Sequence, residues 1–128
     1  MARYHRVFTA FAIEDVWARD YLVGQGRNER TPFQFTDMSV KQPWDYAWKT
    51  QCRTRIRGCD GMIALLSRNT AKASGQLWEI SCAREEGIPI MAIYTTRENR
   101  PYLIPTVLNG IPVRDWTWAN IMQFLGKL

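Results

Sequence analysis

Two nearly continuous apolar runs, Asp60-Gly-Met-Ile-Ala-Leu-Leu-Ser67 and Ile88-Pro-Ile-Met-Ala-Ile-Tyr94, flank a segment of helical period. A strand with one wet face alternates apolar and polar residues. One that is apolar throughout must be covered on both faces, as in a parallel sheet. Parallel neighbours need a crossover. The helix expected over Gln76–Glu86 supplies it, offering Leu77, Ile80 and Ala83 to the sheet and stopping at Gly87. This strand–helix–strand unit commits the chain to the α/β class.

The remaining segments extend the same alternation. Arg6–Phe11 reads as a first strand, rich in the β-favouring types Val, Phe and Thr. Ile13, Val16, Trp17, Tyr21 and Val23 recur near helical spacing up to Gly24, and 26–32 reads as a polar loop. Phe33–Phe35 is a short alternating strand, followed by a loop over Thr36–Ser39. Pro43 suits the first turn of a helix that places Trp44, Ala47, Trp48, Cys52 and Ile56 on one face. Ile111–Val113 is a candidate last strand, and Trp118, Ile121, Met122 and Leu125 mark a final helix capped by Asp115 or Thr117. The 128 residues predict one domain, 1–128. Right-handed crossovers favour a flavodoxin-like three-layer sandwich with a mainly parallel five-stranded sheet, order 2-1-3-4-5.

Composition narrows the function classes. No apolar run approaches the roughly 20 residues needed to cross a bilayer, so no membrane association is expected. The N-terminus runs into a strand-like pattern without a secretory h-region, and a cytoplasmic location is expected. Cys52, Cys59 and Cys82 with the lone His5 form no recognisable metal set, so no metal is expected and the thiols read as reduced. The net charge of +5 is carried by scattered residues, with only Arg53, Arg55 and Arg57 clustered. That cluster falls at a helix end, where cations complement the dipole, and it reads as solvated rather than as a nucleic-acid footprint.

Several chemistries of such folds can be set aside. Gly24 and Gly26 follow a helix rather than a strand, with Glu29 at the third glycine position, so no dinucleotide fingerprint is present. There is no Walker A motif. A phosphoacceptor site would need acidic residues at the ends of the first and third strands, which read Thr9-Ala-Phe11 and Leu66-Ser67. What remains is Glu79, placed early in the crossover helix beside a strand's carboxyl end, where ligands of open α/β sheets bind. The helix N-terminus would favour its ionised form. Bland readings exist for the neighbours: Trp78 as packing, Ser74 as a helix cap, Phe11 as core, Asp37 and Ser39 as loop caps, and Glu85 and Glu86 as solvent-facing.

Arg6-Val-Phe-Thr-Ala-Phe-Ala-Ile-Glu-Asp15, Phe33-Gln-Phe-Thr-Asp-Met-Ser39 and Ser67-Arg-Asn-Thr70 with Ser74 and Trp78-Glu-Ile80 together resemble TIR domains, in particular the TIR-like subunit of bacterial Thoeris anti-phage systems. Ala10 stands where many TIR domains carry Ser. The resemblance implies cleavage of NAD at its nicotinamide–ribose bond, with NAD as substrate and no separate cofactor. It also implies a cyclic ADP-ribose-type signal read by a downstream effector protein, and allows a homo-oligomer. On the matching positions Glu79 would be catalytic, with Phe11, Ala12, Asp37, Ser39, Ser74 and Trp78 as substrate contacts. The alternatives are a non-catalytic TIR-like interaction module and a nucleoside deoxyribosyltransferase-like enzyme.

Overall fold

The computed structural model describes residues 5–128. Its strands are β1 (His5–Ala10), β2 (Phe33–Thr36), β3 (Gly61–Leu66), β4 (Ile90–Tyr94) and β5 (Val113–Arg114). They form one sheet in the order β2-β1-β3-β4-β5, every neighbouring pair parallel. The helices are α1 (Val16–Asn28), α2 (Tyr46–Arg57), α3 (Ser74–Glu85) and α4 (Trp118–Leu125), with short 3-10 turns at Ile13–Asp15, Thr70–Lys72 and Thr106–Leu108. The order is that of the flavodoxin-like fold expected from the sequence.

The sheet's period-two alternation divides the core into two layers. Phe8, Ala10, Met62, Ala64 and Leu66 pack with Trp48, Cys52 and Ile56 of α2 and Ile80 and Ala83 of α3. On the other face Val7, Ile63, Leu65, Met91 and Ile93 pack with Ala18 and Leu22 of α1 and Ile121 and Leu125 of α4. β3 is buried at every position, as its unbroken apolar run requires.

Several boundaries differ from the sequence reading. The first helix does not stop at Gly24 but continues to Asn28, absorbing part of the expected loop. Gly26 faces the sheet, where an added Cβ would lie 2.7 Å from the Phe35 ring, so this glycine serves close packing rather than termination. α2 starts at Tyr46 and not at Pro43, because Asp45 accepts from the Ala47 and Trp48 amides and fixes the start. Trp44 is therefore off the helix and 77% exposed. β4 begins at Ile90 and β5 at Val113, each later than expected. Thr117, not Asp115, caps α4.

The helical face of α3 is also rotated from expectation. Gln76, Glu79, Ile80 and Ala83 are buried, whereas Leu77 is only half-buried. Two polar residues thus occupy the face that turns toward the strand ends. Arg55 and Arg57 lie exposed in the last turn of α2, as a solvated helix end requires, but the cluster also pairs with α3. Arg53 binds Glu85 and Glu86, and Arg57 binds Glu86, stitching α2 to α3.

Candidate active site

Gln76 fixes the start of α3 against the sheet. Its Nε2 donates to the carbonyls of Ala10 (3.1 Å) and Leu65 (2.7 Å), binding the helix to the carboxyl ends of β1 and β3. Because both partners are acceptors, the amide orientation is dictated. Its Oε1 is buried without a partner among the described residues. A second polar clasp joins the loops beyond the same two strands. Asp15 accepts from the Ser67 hydroxyl and from Asn69 Nδ2 (3.0 Å), and Ser67 Oγ in turn accepts from the Asn69 amide.

Glu79 lies one turn after Gln76 on the same face and is 0% exposed. Lys41, from the segment between β2 and α2, closes over it, with Nζ 2.8 and 3.1 Å from the two carboxylate oxygens. The same ammonium stands 4.0 Å from the centroid of the Phe11 ring. Arg19 of α1 flanks that ring at 5.4 Å, held by Asp20 and by both oxygens of Asp37. Around Phe11 the chain therefore assembles two acids and two bases from three separate segments.

The environment sets the protonation of Glu79. Burial pushes its carboxyl up to about 8, Lys41 pulls it the other way, and the Asp37 charge adds to the rise. The expectation that a helix N-terminus would favour the ionised form is corrected here. Glu79 sits in the second turn of α3, beyond the reach of the terminal dipole, and desolvation prevails.

The predicted site residues divide into two groups. Glu79, Phe11 and Asp37 converge on Lys41 and Arg19. Ala12 and Ser74 border a cavity of about 150 Å³ at the start of α3, together with Glu14, Lys41, Lys72 and Gln76. Ser74 does not cap the helix, since the cap position is Ala73 and no side chain bonds there. Trp78 points elsewhere: its ring packs edge-on against Trp48 of α2 at 5.5 Å, with Arg53 above it. Ser39 is exposed. A wider groove of about 840 Å³ between β2 and α2 is lined by Arg6, Gln34, Thr54 and Arg55 and includes none of the Glu79 cluster. A buried carboxyl group with a perturbed protonation is a better candidate for chemistry than an open groove.

Sequence reasoning missed Lys41, Arg19, Gln76 and Asp15. Gln76 carried a usable signal, its i−3 spacing from Glu79. Lys41 carried none, because it sits in a stretch without periodicity.

Residues 8–100 match the family described as the Thoeris protein ThsB, TIR-like domain. The chain belongs to that family. The matched span contains every residue of the Glu79 cluster. A search of curated proteins found no match to this ThsB-type TIR-like chain. Among solved structures it is similar to one described as the activated Roq1 resistosome directly recognizing the pathogen effector XopQ (TIR domains), at 14% identity and a TM-score of 0.52. The match covers 70% of this chain and 57% of that one, so the ThsB-type domain spans little more than half the Roq1 chain's length. At that identity the likeness speaks for a shared TIR fold alone.

Proposed function

We propose that this TIR-like chain cleaves NAD at the nicotinamide–ribose bond, with Glu79 as the catalytic residue, and that the product is a cyclic ADP-ribose-type signal for anti-phage defence. The observation that carries the reading is the buried Glu79 carboxyl beside the Phe11 ring at the carboxyl ends of β1 and β3. Breaking the bond builds positive charge on the ribose, and nicotinamide leaves as a neutral base. A second carboxyl group to protonate the leaving group is therefore not required, in contrast to glycoside cleavage. Glu79 would bind the ribose hydroxyls and stabilise the oxocarbenium charge in a site with little water. An effector protein responding to the product, a cytoplasmic setting and self-association belong to the same proposal. Of the other expected contacts, Phe11, Ala12, Asp37 and Ser74 are proposed as substrate contacts, with Phe11 and Ala12 buried until the 37–45 segment moves. Trp78 and Ser39 are kept only as outer contacts.

A second reading, a non-catalytic interaction module, is favoured by one observation: Glu79 is wholly occupied by Lys41. The cavity of about 150 Å³ beside it is also below the roughly 300–1,000 Å³ usual for ligand sites. Catalysis therefore requires the 37–45 segment to move.

The test is base release from NAD, and separately from deoxynucleosides, by wild type and Glu79→Gln. Removing one preorganised electrostatic group costs about 2.7–4 kcal/mol, so NAD turnover should fall roughly a hundredfold or more with the melting transition retained. Equal turnover by both proteins would refute the assignment.

A further inference from the structure

Lys41 occupies a place built for a cation. Its ammonium is seated between a carboxylate, at 2.8 and 3.1 Å, and an aromatic face, at 4.0 Å, and its side chain is only 8% exposed. The ring selects positive charge at any pH and the carboxyl group does so once ionised, and both act most strongly out of water. The other cation at Phe11, Arg19, is tied down by Asp20 and Asp37 and belongs to the framework. Lys41 arrives instead on a segment between elements, and its Cβ lies so near α3 that an added Cβ on Gly75 would sit 2.8 Å from it. Backbone anchors hold this segment from both sides: Trp48 Nε1 donates to the Val40 carbonyl at 2.6 Å, and Arg55 donates to the Asp37 carbonyl.

We propose that Phe11 and Glu79 together recognise a positively charged aromatic ring, and that Lys41 is a tethered competitor which such a ring must displace. The inference deepens the NAD reading and rests on it for the identity of the ring. The nicotinamide of oxidised NAD is cationic, whereas that of the reduced dinucleotide is neutral. Once Glu79 is ionised, a neutral ring is a poor replacement for the ammonium between its carboxylate and the π face. Lys41 thereby makes charge the condition of entry, and it lowers apparent affinity by the fraction of molecules in which it is seated.

N1-methylnicotinamide, a cationic ring, and nicotinamide, its neutral counterpart, are the probes, titrated by NMR at pH 9, where Glu79 is ionised. Lys41→Met should bind N1-methylnicotinamide at least tenfold more tightly than wild type does, and both proteins should prefer that cation to nicotinamide by at least tenfold. Adding Glu79→Gln should abolish the gain. In wild type, reductive methylation of Lys41, read by mass spectrometry, should speed up at least threefold with saturating N1-methylnicotinamide and not with nicotinamide. This measurement decides the matter if Lys41→Met fails to fold. No gain for the cation in Lys41→Met, equal affinities for the two rings, or Lys41 labelling that ignores the cation would overturn the proposal. Neither probe has a ribosidic bond, which keeps the two readings separable. A chain that binds the cation yet leaves NAD intact sinks NAD cleavage alone, and Glu79-dependent NAD cleavage without charge preference sinks this inference alone.

Discussion

A carboxyl group whose proton is retained to about pH 8 leaves a mark on both stability and turnover. The folded chain keeps the Glu79 proton up to that pH, while an unfolded chain releases it near the ordinary value of 4.5. Between those values the native state binds more protons, so stability falls as pH rises through the window. Melting temperatures taken from pH 5 to pH 8 should decline, and Glu79→Gln should flatten the slope. In the proposed NAD cleavage, turnover should run the opposite way, rising as pH passes 8, because the ionised group is the one that would steady the ribose cation. Asp15 is the other residue-scale test. It is buried and accepts from Ser67 and Asn69, and hydrogen bonds to a charged group contribute about 1.5–3 kcal/mol each. Asp15→Ala should lower the unfolding free energy by at least about 2 kcal/mol in denaturant titrations.

Among the elements, the starts and stops were the hardest features to read from the sequence. Asp60–Ser67 and Ile88–Tyr94 were legible because burial on both faces leaves an unmistakable apolar run. The position of Glu79 near a strand's carboxyl end was legible because it follows a strand in a family-like segment. Gly24 misled because an interior helical glycine costs only about 1 kcal/mol, which the packing of Leu22 and the Gly26–Phe35 contact outweighs. The Lys41–Glu79 pair joins residues 38 positions apart, and no local pattern encodes such a contact. Trp78 looked like a neighbour of the site because it precedes Glu79, yet adjacent residues on a helix point about 100° apart. Asp45→Ala, which removes the α2 cap, should cost about 1 kcal/mol by thermal melts. Gly26→Ala should destabilise as well, by about 1–3 kcal/mol, because the Phe35 ring must shift.

For the whole molecule, the two core layers share one sheet, and β3 lies at its centre with both faces covered. Leu65 is fully buried against the α1 and α4 side, so Leu65→Ala should cost about 2–5 kcal/mol, measured by equilibrium unfolding. No helix among the described residues is long and apolar enough to cross a membrane. The sheet's outermost strands, β2 and β5, are only four and two residues long. Ladders so brief give an incoming backbone few amides to zip onto. Sheet extension from one copy of this chain to the next is thereby disfavoured against contact through side-chain surfaces.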